Sequence, residues 1–208
     1  MSVKLTCDLR ASFGAIRDQG QRPTCLAFAV SDAHAFAYQP FKPFSVEYLY
    51  YHALRRMPGA APGSAASEQA TAVALLRDGQ PHEHECPYLT YPPTSIPINS
   101  RAFRRNMPVD KKCFERICRS LDSGSPVVAC LWISESFYLP DARGVVAQIQ
   151  GDRDTTVHAV VVVGHGETTK ERCILIRNSW GTTWGLSGHG FIEKSYMEKR
   201  VTSTSVIS

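Results

Sequence analysis

The spacing of apolar residues changes about halfway along the chain, near residue 123. Before this point, apolar residues at helical spacing predict helices over 24–38, 45–56, 67–79 and 110–124. After it, β-branched and apolar runs separated by turn residues predict strands over 126–133, 144–149, 158–166, 172–180 and 189–195. A helical half followed by a strand half favours an α+β fold of two lobes, with a cleft where the lobes meet.

The length and the charge of the chain restrict the number of domains and the kinds of partner that it can have. A chain of 208 residues is long enough for one large domain or for two small lobes that share a core. The formal net charge of +4 is mild and gives no reason to expect a nucleic-acid partner. The densest basic stretch, 101–119, has apolar residues at helical spacing, so we interpret it as a solvated helix face.

No segment of the sequence has the character of a membrane anchor or a secretory signal. The run HAVVVVG at 158–164 has the length of a strand and is far shorter than the ~18 apolar residues of a membrane span. The first residues lack the apolar stretch of ~7–15 residues that signal peptides contain. We therefore expect a cytoplasmic protein with no membrane partner, or one that is exported without a cleavable signal.

The seven cysteines, an odd number at irregular spacing, make a poor disulfide framework. We expect reduced thiols, in agreement with a cytoplasmic location. Cys113 and Cys118 lie at core-helix spacing with Phe114 and Ile117, which favours a packing role. The segment HEHEC at 82–86 could hold a metal, but histidines two residues apart in a loop are a weak signal. No metal site and no cofactor is predicted.

Cys25 stands at the start of the predicted helix 24–38, with Thr24 as a plausible N-cap. The unpaired N–H groups and the positive dipole of a first helical turn favour an anion there, which predicts a lowered thiol pKa. Upstream, Gln19 could direct its amide N–H to the same place and, with the Cys25 N–H, form two donors for an oxyanion. A buried helical cysteine most often only packs, so a catalytic role requires a base elsewhere.

His158 is the best candidate for that base among the seven histidines. It begins the strand 158–166, where it could present its ring at the sheet edge, whereas His165 and His189 lie beside glycines in predicted turns. Asn178, after the next strand, could fix the tautomer and orientation of the His158 ring. Trp180 could then shield that hydrogen bond from water.

Four segments resemble, in the same order along the chain, those of papain-like cysteine peptidases of the C1 type, and of their bacterial branch in particular. They are DQGQRPTCLAFA at 18–29, DGQPHEHECPY at 78–88, HAVVVVGHG at 158–166 and IRNSWGTTWGLSGHGFI at 176–192. The resemblance implies one papain-like domain over 1–208. Its helical left lobe would cover about 10–122 and its β-barrel-like right lobe about 123–208, with the active-site cleft between them.

The resemblance also implies a role for each matching residue. Cys25 would be the nucleophile, His158 the acid and base, Asn178 the orienting residue and Gln19 the oxyanion donor. Trp180 would cover the histidine–asparagine pair.

Other positions would contact substrate. Trp184 would form a wall on the leaving-group side of the cleft. The glycine pair that binds substrate backbone in this family falls near GSAAS at 63–67, which makes Gly63, Ser64 and Ala66 candidates.

The activity implied is hydrolysis of peptide or isopeptide bonds in protein substrates through a thioester, without a cofactor. Two alternatives stay open: a catalytically silent papain-like binding module, and an acyl transferase that uses the same thioester. Since no inhibitory propeptide precedes the domain, we expect restraint from a regulatory protein partner, a blocking loop, expression control or delivery.

The sequence departs from the family pattern beside the proposed nucleophile. Arg22 replaces a cysteine that forms a disulfide in secreted members, and Leu26 replaces a tryptophan. The missing cysteine agrees with a reducing compartment.

Overall fold

The computed structural model describes residues 3–97, 101–111 and 113–208. The helices are α1 (Cys25–Phe36), α2 (Val46–Leu54), α3 (Glu68–Arg77), α4 (Phe114–Asp122), α5 (Glu135–Tyr138) and α6 (Lys194–Arg200). The strands are β1 (Lys4–Asp8), β2 (Val127–Ser134), β3 (Val145–Val146), β4 (Asp154–Glu167), β5 (Arg172–Arg177), β6 (His189–Glu193) and β7 (Val201–Ser205). Within the described residues, no helix has the length and apolar character that crossing a bilayer requires.

Helices α2 and α3 have serine N-caps and begin where the sequence predicts. Ser45 and Ser67 each accept a hydrogen bond from a backbone N–H three residues on, at the starts of α2 and α3. The chain turns away after α3 at Gly79, whose φ of +73° favours glycine. Helix α1 begins differently, since the Thr24 side chain makes no capping bond and its hydroxyl lies 2.8 Å from that of Tyr88.

The basic stretch 101–119 is not a continuous helix face, so that prediction is wrong. Helix α4 begins only at residue 114, and the described residues before it form no helix. Phe103 instead exchanges two backbone hydrogen bonds of 2.8 Å with Gln80, and its ring contacts Phe44 at a centroid distance of 5.0 Å. This pairing uses the backbone groups that a helix would have needed, and it holds the half-buried Phe103 ring against Phe44 and Tyr38.

The described strands form one open seven-stranded sheet in the order β3-β6-β5-β4-β2-β7, with β1 also paired to β4. Strand β4 is central, since it pairs antiparallel with β1, β2 and β5. Strands β1 and β7 and helices α5 and α6 were not predicted from the sequence. The strand predicted over 144–149 is only two residues long, at Val145–Val146.

Both faces of this sheet are buried, which explains the unbroken valine run in β4. Val161 and Val163 pack with α1, α2 and α3 on one face. Val160 and Val162 pack with α4 and α6 on the other. A strand buried on both faces needs apolar residues at every position instead of alternation. The fold is therefore a two-lobe α+β fold in which α1 lies against β4.

Candidate active site

His158 lies near the start of β4, opposite Leu131 of β2, and is 4% exposed. Its Nε2 is 2.8 Å from Oδ1 of Asn178, the residue that follows β5. The same Oδ1 accepts a hydrogen bond of 2.8 Å from the Ser179 backbone N–H, and this fixes the orientation of the amide. Because Oδ1 can only accept, Nε2 carries the ring hydrogen and Nδ1 is left as the basic nitrogen.

Aromatic rings cover the His158–Asn178 bond. The ring centroid of Trp180 is 4.6 Å from that of His158, and the buried Phe137 ring is 5.7 Å away on another side. Trp184 holds this shield in place, because its Nε1 donates a hydrogen bond of 3.0 Å to the Phe137 carbonyl. Exclusion of water strengthens the bond between ring and amide. Sequence reasoning missed Phe137 because it lies in the unpredicted helix α5.

Cys25 is the first residue of α1 and is partly buried. Burial raises the pKa of its thiol, and the backbone N–H groups of Ala159, Leu26 and Cys25 itself oppose that rise. The pKa remains above the ordinary value, so the lowering expected from the helix N-terminus alone is wrong. The physical reason is that removal of water from the sulfur outweighs the N–H donors. Helix α1, which begins with Cys25, packs against β4, the strand that carries His158.

Burial also sets the protonation of the imidazole. It lowers the pKa of His158 to about 4, and the Asn178 hydrogen bond, which favours the charged ring, offsets only part of this. Thiol and imidazole are thus both neutral when each is considered alone.

Gln19 is held by hydrogen bonds at both ends of its amide. Its Nε2 donates to the Arg22 carbonyl at 2.9 Å, and its Oε1 accepts from the Ser179 hydroxyl at 2.7 Å. The Gln19 backbone N–H donates to the Ser179 carbonyl at 2.8 Å. These bonds hold the amide rigidly and leave one of the two Nε2 hydrogens for a further acceptor. Sequence reasoning missed Ser179, whose only signal was a hydroxyl residue between Asn178 and Trp180.

Arg22 anchors the loop before Cys25 to α2 through a buried ion pair. Its Nη1 and Nη2 lie 2.6 Å and 2.8 Å from the two carboxylate oxygens of Glu47, and both side chains are below 8% exposure. The guanidinium also lies over the Tyr88 ring, 4.7 Å from its centroid. An ionic link therefore holds the loop at the position where the resemblance implies a disulfide in secreted members.

The three candidates for substrate backbone binding lie in the loop before α3. Gly63 has a φ of +89°, the Ser64 carbonyl accepts a hydrogen bond of 2.7 Å from the Tyr50 hydroxyl, and Ala66 packs against the core. Their role in substrate binding stays a prediction.

A surface pocket of about 530 Å³ lies beside the aromatic shield. Trp180 and Trp184 form one part of its lining, and Tyr138 and the 85% exposed Leu139 form another. Trp184 lines this pocket although it is only 7% exposed, and its role as a wall on the leaving-group side stays a prediction.

The segment 82–86 does not form a metal cluster of three ligands among the described residues. The His82 ring stacks on Phe44 at a centroid distance of 5.2 Å, and the Glu83 carboxylate accepts a hydrogen bond of 2.8 Å from the Tyr88 N–H. These groups stabilise the helical lobe.

Known proteins resemble this chain in sequence and in fold. A cysteine protease of Blomia tropicalis is 26% identical over 211 residues, which cover 90% of this chain and 60% of that protein. The chain thus spans about three-fifths of the length of that protein. The solved structure of xylellain, a cysteine protease from Xylella fastidiosa, matches this fold with a TM-score of 0.80 at 21% identity. The match covers 100% of this chain and 87% of the xylellain chain.

The proform of Amb a 11, a cysteine protease and major ragweed pollen allergen, has a TM-score of 0.74 at 20% identity, with 99% of this chain and 66% of that chain covered. These structures show the fold. A family model described as papain family cysteine protease matches residues 4–207. The chain therefore belongs to the papain family of cysteine proteases.

Proposed function

We propose that this chain hydrolyses peptide or isopeptide bonds in protein substrates, with Cys25 as nucleophile. The observation that supports this most directly is the shielded His158–Asn178 bond, which leaves Nδ1 as the basic nitrogen. The N–H of Ala159, the neighbouring residue of the same strand, opposes the rise that burial causes in the Cys25 pKa. The proposed nucleophile begins the helix that packs against β4, the strand that carries the proposed base, and this packing supports the proposal.

The proposed reactive form is a thiolate–imidazolium pair. Burial disfavours either charge alone, since it raises the pKa of Cys25 and lowers that of His158. Transfer of the proton from Sγ to Nδ1 creates both charges at once, so neither is left without a counter-ion. Backbone N–H groups then stabilise the sulfur, and the Asn178 amide oxygen stabilises the ring.

Catalysis would proceed through two half-reactions. The Cys25 sulfur attacks the carbonyl carbon, and the oxyanion accepts hydrogen bonds from the free Gln19 Nε2 hydrogen and the Cys25 N–H. His158 gives its proton to the leaving amine, which departs and leaves a thioester. The ring then takes a proton from water as the water attacks the thioester, and this releases the acid product and the thiol.

The test combines a variant with a covalent probe. Cys25→Ala should abolish cleavage of a proteome-derived peptide library, while Cys113→Ser, at an exposed cysteine, should keep full activity. An epoxysuccinyl thiol reagent should label Cys25 alone among the seven cysteines. Turnover by Cys25→Ala, or labelling spread over several cysteines, would contradict the proposal. Product masses with and without an added amine distinguish hydrolysis from acyl transfer.

We propose that the protein works in a reducing compartment such as the cytoplasm. All seven cysteines are free thiols, and the loop beside Cys25 is anchored by the Arg22–Glu47 ion pair. A pool of reductant keeps such thiols unpaired. The redox state of the cysteines in freshly lysed source cells, trapped by alkylation, tests this location.

We also propose that a protein segment or partner restrains the activity by occupying the cleft. The support is that Amb a 11 was solved as a proform. A purified chain that cleaves at full rate without any activation step, and that no cellular extract inhibits, would contradict this.

A further inference from the structure

A second cluster of chemically reactive side chains lies away from the cleft, where β1 pairs with the end of β4. It consists of Cys7 in β1, His165 in β4 and Asp122, the last residue of α4. One ligand atom of each residue lies within 4.8 Å of the other two. His165 follows His158 by seven positions on the same strand, roughly 23 Å at the usual rise per residue, so the cluster is separate from the proposed catalytic site.

The pairing of β1 with β4 brings Cys7 to His165, which lies inside the strand and not in the turn that the sequence suggested. The two residues are opposite each other in the antiparallel register, just after a bulge in β1. Bulges redirect side chains and recur beside functional sites. Gly164 and Gly166 flank the histidine, and a Cβ at either position would collide with a carbonyl oxygen of β1. Glycine on both sides therefore permits the close approach of the two strands.

The cluster has a fixed inner ligand and an open outer side. The His165 side chain is 8% exposed, and its Nε2 is 2.7 Å from Oδ1 of Asp122. The Asp122 side chain is 54% exposed, and Cys7 is partly buried with its thiol 3.5 Å from the Leu121 carbonyl. A bound ion would thus be held from the interior and still have access to water.

We propose that Cys7, Asp122 and His165 bind one Zn²⁺ ion, with water as the fourth ligand. Sulfur, imidazole nitrogen and carboxylate oxygen are the donors that zinc takes in tetrahedral sites. Thiolate and imidazole together select zinc over magnesium or calcium, which prefer oxygen ligands. On binding, the thiol proton is released to solvent and the sulfur bonds to the metal.

The geometry requires only small adjustments. Tetrahedral zinc places its ligand atoms roughly 3.4–3.7 Å apart, as its bond lengths dictate. The His165–Asp122 separation of 2.7 Å must therefore open by about 0.7 Å, which the exposed aspartate permits. The ion would tie β1 to β4 and to the end of α4. The sequence shows no signal for this site, because its three residues are far apart along the chain.

The test uses Cys25→Ala as the parent, so that the catalytic thiol binds no metal. Calorimetric titration of the metal-free parent with Zn²⁺ should show one site. Titration with Co²⁺ should produce the near-ultraviolet charge-transfer band of a thiolate–cobalt bond. Adding Cys7→Ser should remove that band, and adding Asp122→Asn should weaken Zn²⁺ binding at least tenfold. Cys113→Ser, at the exposed cysteine that precedes α4, should change neither measurement.

Melting of each metal-free variant provides the control for folding. Asp122 is exposed, so Asp122→Asn should melt like the parent without metal and lose the rise in melting temperature that Zn²⁺ gives the parent. A parent that binds no zinc overturns the proposal, and so does binding that is unchanged by both Cys7→Ser and Asp122→Asn. Because no readout is proteolytic, these outcomes are independent of the proposed function.

Discussion

Asp32 in α1 and Arg177 at the end of β5 form a buried ion pair between the helices and the sheet, with 2.7 Å from Oδ2 to Nε. Arg17 binds the other carboxylate oxygen at 2.6 Å. Helix α1 begins with Cys25, and Arg177 directly precedes Asn178. The pair therefore joins the element that holds the proposed nucleophile to the segment that orients the base.

We expect Asp32→Asn to destabilise the protein by about 3 kcal/mol, because it leaves the buried Arg177 guanidinium without its counter-charge and leaves Arg17 with only Glu83, at 3.5 Å. Burial raises the pKa of Asp32, but Arg17 and Arg177 lower it more, so the pKa lies below the ordinary value. The pair's contribution is therefore complete above about pH 4 and is lost as pH falls through the lowered pKa.

Urea unfolding of wild type and variant at pH 7 and pH 3 measures this difference. Glu115→Gln provides the control, because it removes a solvent-exposed partner of Lys194 and should leave stability nearly unchanged. An equal decrease in the free energy of unfolding in Asp32→Asn and Glu115→Gln would show that the buried pair stabilises the protein no more than an exposed one.

Features that local spacing determines could be predicted from the sequence. Features that depend on contacts between distant residues could not. The thiol at the start of α1 follows from spacing alone, whereas β4 begins four residues before His158, with which the predicted strand begins. The Arg22–Glu47 pair does not follow from spacing, since its members are 25 residues apart and any acidic residue was a possible partner. Strand β1 was missed because a short edge strand has little pattern of its own. The direction of the Cys25 pKa shift was missed because burial is a property of the tertiary structure.

We expect Glu47→Gln to lower both stability and activity. It leaves the Arg22 guanidinium buried with weaker hydrogen bonds, at a cost of about 3 kcal/mol. The Arg22 carbonyl accepts a hydrogen bond from the Gln19 side-chain amide. Because this bond helps to hold the proposed oxyanion donor, loosening the loop should also lower kcat.

A double variant gives the matched comparison for this pair. Arg22→Met with Glu47→Leu removes both charges and replaces them with apolar side chains, which is often neutral for stability. Urea unfolding of the single and double variants measures the coupling. A double variant less stable than Glu47→Gln would contradict the assignment of this cost to an unpaired charge.

Acid should weaken the fold well above the range in which carboxylates titrate. Burial lowers the pKa values of His34, His158 and His189 to about 4 each. Between the unfolded value of about 6.5 and that pH, the unfolded chain binds protons that the folded chain does not. The free energy of unfolding should therefore fall as pH falls, by up to about 1.4 kcal/mol per pH unit for each histidine.

Urea unfolding of Cys25→Ala between pH 7 and pH 4.5 measures this slope without self-digestion. His158→Gln in the same background should make the slope shallower, because one of the three histidines is gone. Stability that stays flat or rises toward pH 4.5 would contradict the prediction.

Gln19→Ala should lower kcat by about 10²-fold to 10³-fold with little change in KM, because its amide would bind the oxyanion and not the ground-state carbonyl. Ser179→Ala removes the hydroxyl that holds the Gln19 oxygen at 2.7 Å and leaves the amide itself in place. Its loss should therefore be smaller, about tenfold, as expected for one hydrogen bond. Steady-state kinetics on one peptide substrate separates these effects. A raised KM with unchanged kcat in Gln19→Ala, or a larger loss in Ser179→Ala, would mean that Gln19 supports the loop instead of the transition state.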